Sequence, residues 1–228
     1  DLKDQVSRYV EWYANGKYSV NGRCFDIGCT TRWALEKFMD SDVISGLTEP
    51  ESSGNGGIMR IAPVAMSYYD RSYDALFRLG VESSSTTHNS EMCRSAAGYM
   101  TVVLAALING VSKEEVLDEN WWQKNLILHP SVDKIVKGSY KHKEPPEIKA
   151  EGFVIASLEA SLWAFWKAKD FKEAVLKGIN LGDDSDTVGA ITGQFAGAYF
   201  GENGIPTEFI EGLAKKDMIE EHLCKICP

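Results

Sequence analysis

The chain has 228 residues, 44% of them hydrophobic, so it can bury the core of one domain. Its formal net charge of −9 argues against a nucleic-acid surface, because no run of Lys or Arg offsets it. The sequence shows no signal peptide, transmembrane run or lipidation motif, and we therefore expect a cytoplasmic protein without membrane contact.

The five cysteines have no framework spacing and fit a reduced compartment better than a disulfide scaffold. Two spacings hint at zinc, Cys24-x4-Cys29 and the terminal His222-x-Cys224-x2-Cys227. Both hints are weak, because a closed zinc site needs four ligands.

The first predicted element is an amphipathic helix. Its apolar residues recur at helical spacing and are Leu2, Val6, Tyr9, Val10 and Tyr13. A glycine-punctuated segment, 15–28, follows it, and Asp26 in that segment is either an Asx-turn residue or a ligand. Thr30 or Thr31 is then expected to cap a second helix, whose inner face carries Ala34, Leu35 and Phe38.

A loop over 41–53 leads into a glycine-rich segment, Gly54-Asn55-Gly56-Gly57. Glycines let backbone amides approach an anion, so the segment is either a phosphate cradle or a plain tight turn. It is not a dinucleotide fingerprint, because the third glycine and a preceding apolar strand are missing. It is not a Walker loop either, because no Gly-Lys-Ser/Thr follows.

Several further helices are predicted downstream. A polar run, 83–90, contains His88 and precedes a long helix whose buried face includes Met92, Tyr99 and Leu107. His88 is either a capping or hydrogen-bonded histidine or part of a site. A capping-box pattern at 112–115 opens a short helix. Segment 120–148 has no clear pattern, and helices are predicted over 152–167 and 171–176.

An acidic turn, Gly182-Asp183-Asp184-Ser185-Asp186-Thr187, stands where the last long helix begins. Its carboxylates and threonine hydroxyl can converge on one small volume, and oxygen-only ligands suit Mg, Mn or Ca. The alternative is an acidic helix cap, which one Asp would satisfy. Three neighbouring carboxylates repel one another, and this repulsion favours a bound cation.

The helix after the acidic turn carries a glycine at every fourth position, namely Gly189, Gly193, Gly197 and Gly201. These glycines share one helix face. Each interior glycine costs about 1 kcal/mol relative to Ala, and we predict that close backbone packing along this stripe offsets the cost and fixes the acidic turn in the interior. Because the periodicity is helical throughout, the predicted fold is a single all-α domain.

Four motifs stand in the order seen in ADP-ribosylglycohydrolases. They are Asp-Ile-Gly-x-Thr from Asp26, Gly-Asn-Gly-Gly-Ile-Met-Arg-Ile-Ala-Pro from Gly54, Thr-His at Thr87 and Gly-Asp-Asp-Ser-Asp-Thr-Val-Gly-Ala-Ile-x-Gly from Gly182. The chain resembles this family, of the dinitrogenase-reductase-activating glycohydrolase type, from end to end. The resemblance implies a compact orthogonal all-α domain. It also implies a site for two Mg or Mn ions that cleaves the bond between ADP-ribose and an acceptor, either a protein side chain or a small molecule.

The resemblance also assigns site residues by position. The metal ligands fall on Asp184, Asp186 and Thr187, and the two aspartates are the candidate catalytic residues. Substrate-binding positions, for the diphosphate and the reacting ribose, are Ser52, Gly54, Asn55, Gly56, Gly57 and His88.

One departure from the family pattern concerns the other half of the metal site. The family's Thr-Asp-Asp and Gly-Asp segments have no counterpart here, since the one adjacent Asp pair is Asp183-Asp184. We therefore expect a family member that lacks its N-terminal part and is inactive or nearly so by itself. A non-catalytic ADP-ribose-binding relative is the alternative. A phosphatase is disfavoured, because no apolar strand precedes the acidic turn.

Overall fold

The computed structural model describes residues 1–122 and 125–226, and within these ranges the regular structure is helical. The described residues form no sheet; two isolated bridges pair Leu47 with His88 and Gly54 with Phe153. The predicted all-α fold is confirmed.

Twelve α-helices are described in chain order: α1 (Leu2–Asn15), α2 (Cys29–Ser41), α3 (Ala62–Tyr68), α4 (Tyr73–Ser85), α5 (Glu91–Ile108), α6 (Lys113–Val116), α7 (Pro130–Val136), α8 (Val154–Lys167), α9 (Phe171–Ile179), α10 (Ser185–Phe200), α11 (Thr207–Glu211) and α12 (Lys216–Ile226). Short 3-10 turns lie at Pro50–Ser52, Asn55–Gly57, Ser139–His142 and Glu202–Gly204.

Helix α5 is the centre of the main core. It packs against α3, α4, α8 and α10. Its side chains are therefore buried on nearly all sides of the helix, whereas the periodicity predicted one buried face. Glycines allow the close α4–α5 approach, because a Cβ on Gly80 would lie 2.7 Å from the Ala97 carbonyl oxygen. Helix α5 has the length and composition of a membrane span, but 78% of it is buried inside the protein, as in a core helix.

Helices α1 and α2 form a second, smaller cluster around Val6, Leu35 and Phe38. Helix α1 is tied to the main body by Gln5, whose side-chain amide donates to the Ser83 hydroxyl at 2.9 Å. This arrangement leaves a cleft between α1 and the glycine-rich segment.

The prediction that Thr30 or Thr31 caps α2 is wrong. Helix α2 begins at Cys29, and Gly28 is its cap residue with extended backbone angles. The Gly28 carbonyl accepts from the Arg32 amide at 3.0 Å, so the first turn closes before either threonine can serve as the cap. The predicted N-cap of α6 is confirmed, because the Ser112 hydroxyl accepts from the Glu115 amide at 3.2 Å.

The close packing that was predicted along the glycine stripe of α10 is also wrong for most of the stripe. A Cβ on Gly189 would lie 2.7 Å from Ile179, whereas no atom lies within 4 Å of a Cβ on Gly193. Gly197 would make an ordinary contact with Phe171, and Gly201 ends the helix with φ +69°. Helix α10 is held instead by its other faces, where Phe195 stacks on Phe165 with ring centroids 5.8 Å apart.

Candidate functional site

A cavity of about 580 Å³ opens between the two helical clusters. Its walls come from α1, segment 25–31, the glycine-rich segment with Arg60, His88, Gly152 and the start of α10. Residues from the beginning, middle and end of the chain therefore meet in one place.

The acidic turn forms one wall of this cavity. Gly182 and Asp183 both have positive φ, and this bend turns the chain sharply before α10 begins at Ser185. Asp184, Asp186 and Thr187 line the cavity. The side chain of Asp183 is exposed and takes no part in the wall.

The structure argues against the simple capping role for Asp184. It stands at the cap position of α10, yet its carboxylate makes no capping hydrogen bond. Its Oδ2 instead accepts from the Asn55 side-chain amide at 2.6 Å. Its backbone N–H donates to the Ala150 carbonyl at 2.8 Å, so both the backbone and the carboxylate of Asp184 are held in place.

Asn55 orients Asp184 in this arrangement. Its Nδ2 donates to Asp184 and to the Ser157 hydroxyl, which lies 2.8 Å away, so both amide hydrogens are used within the protein. Its backbone N–H donates to the Gly152 carbonyl at 3.2 Å. The sequence predicted a substrate contact for Asn55, and its wall position leaves the side-chain oxygen for that role.

The glycine-rich segment packs against His88. A Cβ on Gly56 would lie 2.6 Å from Cε1 of His88, and a Cβ on Gly57 would overlap the Ser84 hydroxyl. These two glycines are therefore required by packing, whatever else their backbone amides do. Gly56 lines the cavity and Gly57 lies behind it.

Two other predicted substrate-binding residues lie outside the cavity wall. Gly54 lies beside the Nε2 edge of His88, where an added Cβ would stand 3.2 Å from Nε2, and its carbonyl accepts from the Cys93 thiol at 3.3 Å. Ser52 closes a turn, because its carbonyl accepts from the Gly54 amide at 2.9 Å. Neither Ser52 nor Gly54 lines the cavity.

His88 is a buried, neutral histidine. Burial, together with the smaller effect of the positive charge of Arg60, lowers its pKa to about 3. Its Nδ1 lies 2.8 Å from the Thr87 hydroxyl. The hydrogen-bonded alternative from the sequence is correct, and His88 also lines the cavity.

Several wall residues were not singled out as site residues from the sequence. Tyr9 and Trp12 of α1, Phe25 and Arg60 all face the cavity, as does Asp26, whose role the sequence left open. The sequence placed Tyr9 on the apolar face of the first helix and assigned no role to Trp12, because periodicity does not show which apolar residues remain partly uncovered.

The donor set at the acidic turn fits a hard cation in part. Two carboxylates and one hydroxyl face the same cavity, and oxygen donors are those that Mg and Mn prefer. Within residues 1–122 and 125–226 no three His, Cys, Asp or Glu side chains are close enough to hold an ion together. The turn therefore offers some of the roughly six ligands that such an ion takes. Of the possible zinc ligands, Cys227 lies outside the described residues.

Comparison with known proteins decides the family. A sequence profile described as ADP-ribosylglycohydrolase matches residues 1–227. The chain belongs to this family. Its resemblance in motif order is thus confirmed over nearly the whole length.

Among curated proteins, this family member is 38% identical over 222 residues to "ADP-ribosylarginine hydrolase Tri1" of Pseudomonas putida, covering 97% of this chain and 58% of the relative. It is 24% identical over 216 residues to "ADP-ribosyl-[dinitrogen reductase] glycohydrolase" of Rhodospirillum rubrum, covering 95% of this chain and 67% of that protein.

A solved structure described as "ADP-ribosylglycohydrolase-related protein complex" matches with a TM-score of 0.82 and 33% identity. The match covers 97% of this chain and 71% of the solved one. The fold of this chain is therefore the fold of that solved structure. The chain spans 58% of the length of the Pseudomonas putida relative.

Proposed function

We propose that this chain carries the acidic-turn side of an ADP-ribosyl hydrolase site, which cleaves the glycosidic bond between ADP-ribose and a modified acceptor. The observation that carries the proposal is the meeting of Asp184, Asp186 and Thr187 with Asn55, Gly56 and His88 in one cavity. Two relatives at 38% identity are named ADP-ribosylarginine hydrolases, so an arginine side chain is the acceptor that we favour.

The cavity suits a ligand with an anionic part and a sugar. Its volume of about 580 Å³ lies within the usual range for small-molecule sites, about 300 to 1,000 Å³. Gly56 carries no side chain where the ligand's phosphates would approach, and His88 is neutral beside it. On the neighbouring wall, which Asn55 joins to the glycine-rich segment, Asp184 and Asp186 would face the ribose.

A divalent cation, Mg or Mn, would be held by Asp184, Asp186 and Thr187, with two ions expected for the complete site. When bound, such an ion orients sugar hydroxyls and lowers the pKa of a coordinated water. Asn55 fixes the direction of the Asp184 carboxylate, which leaves Oδ1 for a cation or a sugar hydroxyl. Pre-orientation of this kind reduces the reorganisation needed during the reaction.

The reaction replaces the bond between the anomeric carbon and the acceptor atom with a bond to water oxygen. The electron pair of the broken bond leaves with the acceptor, which takes up a proton. Positive charge develops on the sugar in the transition state. The carboxylates of Asp184 and Asp186, which line the cavity, would stabilise that charge, and the products are ADP-ribose and the free acceptor.

A non-catalytic ADP-ribose-binding protein is the second candidate. It is favoured by the incomplete donor set, because the described residues hold no cluster of three ligating side chains. For the same reason we propose that turnover by these 228 residues alone is low, whereas ADP-ribose binding persists.

The test is release of free ADP-ribose from an ADP-ribosylarginine peptide, measured with Mg or Mn and with a chelator. The proposal expects metal-dependent release, above background even if slow, that Asp186→Asn abolishes and that Asp183→Asn leaves unchanged. Calorimetry with ADP-ribose accompanies the assay. Binding without release supports the second candidate, and absence of both binding and release contradicts the proposed function.

A further inference from the structure

The imidazole of His88 has two different edges. On one edge, Nδ1 lies 2.8 Å from Oγ1 of Thr87. On the other edge, Nε2 lies 3.0 Å from where a Gly56 Cβ would stand. Nε2 has no hydrogen-bond partner within residues 1–122 and 125–226, and His88 belongs to the cavity wall.

The direction of the hydrogen bond at Nδ1 follows from Arg60. A guanidinium can only donate, and Nη2 of Arg60 lies 2.6 Å from Oγ1 of Thr87. The threonine oxygen is therefore an acceptor toward Arg60. Its single proton remains for another partner.

That partner is Nδ1 of His88. Thr87 is fully buried, and among the described residues its hydroxyl contacts no acceptor other than Nδ1. A buried hydroxyl proton without an acceptor would cost about 1 to 3 kcal/mol. Thr87 thus donates to Nδ1, and a neutral imidazole that accepts at Nδ1 carries its proton on Nε2.

Arg60 itself is held by helix α1. Its Nε donates to the Tyr9 hydroxyl at 3.0 Å, and its guanidinium lies 4.6 Å from the centre of the Tyr9 ring. Gln5 also donates to the Tyr9 hydroxyl, at 2.8 Å. The arginine therefore has a fixed direction from which to donate to Thr87.

We propose that Arg60 is a positioning residue that acts through Thr87 to fix His88 as the Nε2–H tautomer, and so gives the cavity a neutral hydrogen-bond donor beside Gly56. The opposite tautomer would present a lone pair to the ligand and would repel an anionic oxygen. The ligand class follows from the proposed function: the donor suits a phosphate or sugar oxygen of ADP-ribose.

The tautomer can be read directly by long-range proton–nitrogen correlation spectra of histidine-labelled protein at pH 7. The chain has four histidines, and the His88 signals are assigned by their absence in His88→Gln. The proposal predicts the Nε2–H pattern for His88 in the unaltered protein. An Nδ1–H pattern or a doubly protonated ring would overturn it.

We call the two hydrogen bonds from Arg60 to Thr87 and from Thr87 to His88 the relay. The variant that isolates it is Thr87→Val, which removes the hydroxyl and keeps both Arg60 and His88. The Nε2–H pattern should give way to a mixture of tautomers, and ADP-ribose affinity should fall by about five- to tenfold, the loss of one hydrogen bond. Thr87→Ser should restore both. The matched control is Thr86→Val, because Thr86 is equally buried but donates to the Ser83 carbonyl at 2.8 Å.

An unchanged tautomer in Thr87→Val would overturn the relay. If that variant does not fold, Arg60→Met tests the same link from its other end and should also mix the tautomers. The spectra need no ligand, so this test stands apart from the proposed function. A fixed Nε2–H tautomer in a protein that binds no ADP-ribose would sink the proposed function and the ligand assigned to His88, while the relay itself would stand.

Discussion

The two walls of the cavity are built differently. The acidic wall is open, since Asp186 is exposed and Asp184 and Thr187 are half-buried. The glycine and histidine wall is closed, since Gly56 and His88 are buried and packed on one another, and buried Gly57 and Thr87 support them from behind. A change on the closed wall should therefore damage folding and binding together, whereas a change on the open wall should alter ligand chemistry at little cost in stability.

The largest effect is expected at Gly57. Its added Cβ would overlap the hydroxyl of buried Ser84, and overpacking of a closed core costs about 1 to 3 kcal/mol. Gly57→Ala should therefore lower the free energy of unfolding by up to about 3 kcal/mol, measured by urea denaturation. Gly193→Ala is the control, because no atom lies within 4 Å of its Cβ and Ala favours the helix. A loss of stability at both positions would contradict the packing difference.

The next effect concerns pH and the buried imidazole. The folded pKa of His88 is about 3, below its ordinary value of 6.5. Between these values the unfolded chain binds a proton that the folded chain does not. His88 therefore makes unfolding easier as the pH falls below 6.5, by about 1.4 kcal/mol per pH unit.

This linkage is measured as the difference in unfolding free energy between the unaltered protein and His88→Gln. The carboxylates titrate in both proteins, so their contribution cancels. As the pH falls from 6.5 to 4.5, the unaltered protein should lose more unfolding free energy than His88→Gln does. A difference that does not change with pH would mean that His88 titrates normally and is not buried as described.

A smaller effect is expected where the two walls join, at Asn55. Asn55→Ala removes the donor that holds Asp184 and leaves the Ser157 hydroxyl without one of its contacts. We expect a loss of about 1 to 2 kcal/mol in unfolding free energy and a weaker affinity for Mn, because the carboxylate is no longer oriented. Full retention of Mn affinity would show that Asn55 does not position Asp184.

The sequence predicted those parts of the site that lie within a few residues of one another. The acidic turn was identified because three carboxylates and a threonine hydroxyl fall within five positions, 183–187. The partnership of Asn55 with Asp184 joins residues 129 apart, and no spacing rule reaches that far. The hydrogen bond from Arg60 to Thr87 was missed for the same reason, since these residues lie 27 positions apart on different elements.

The fold was predicted to a similar degree. Helical periodicity identified the longer helices α1, α2, α5 and α8, because a 3.6-residue repeat is local, but it did not identify α4, α7, α11 or α12. It could not show what faces each helix, so the glycine stripe of α10 was assigned to close packing that Gly193 does not make. The α2 cap was misplaced because Gly28 already supplies the extended backbone that begins the helix.

The most direct test of the account is Mn calorimetry on two variants that remove the same charge. Asp186→Asn changes a residue of the cavity wall, and Asp183→Asn changes an exposed neighbour outside it. The account predicts weak Mn binding by the unaltered chain, a loss of about tenfold or more in Asp186→Asn and no loss in Asp183→Asn. Equal affinities for both variants would contradict the assignment of the acidic turn as the cation-binding wall of the site.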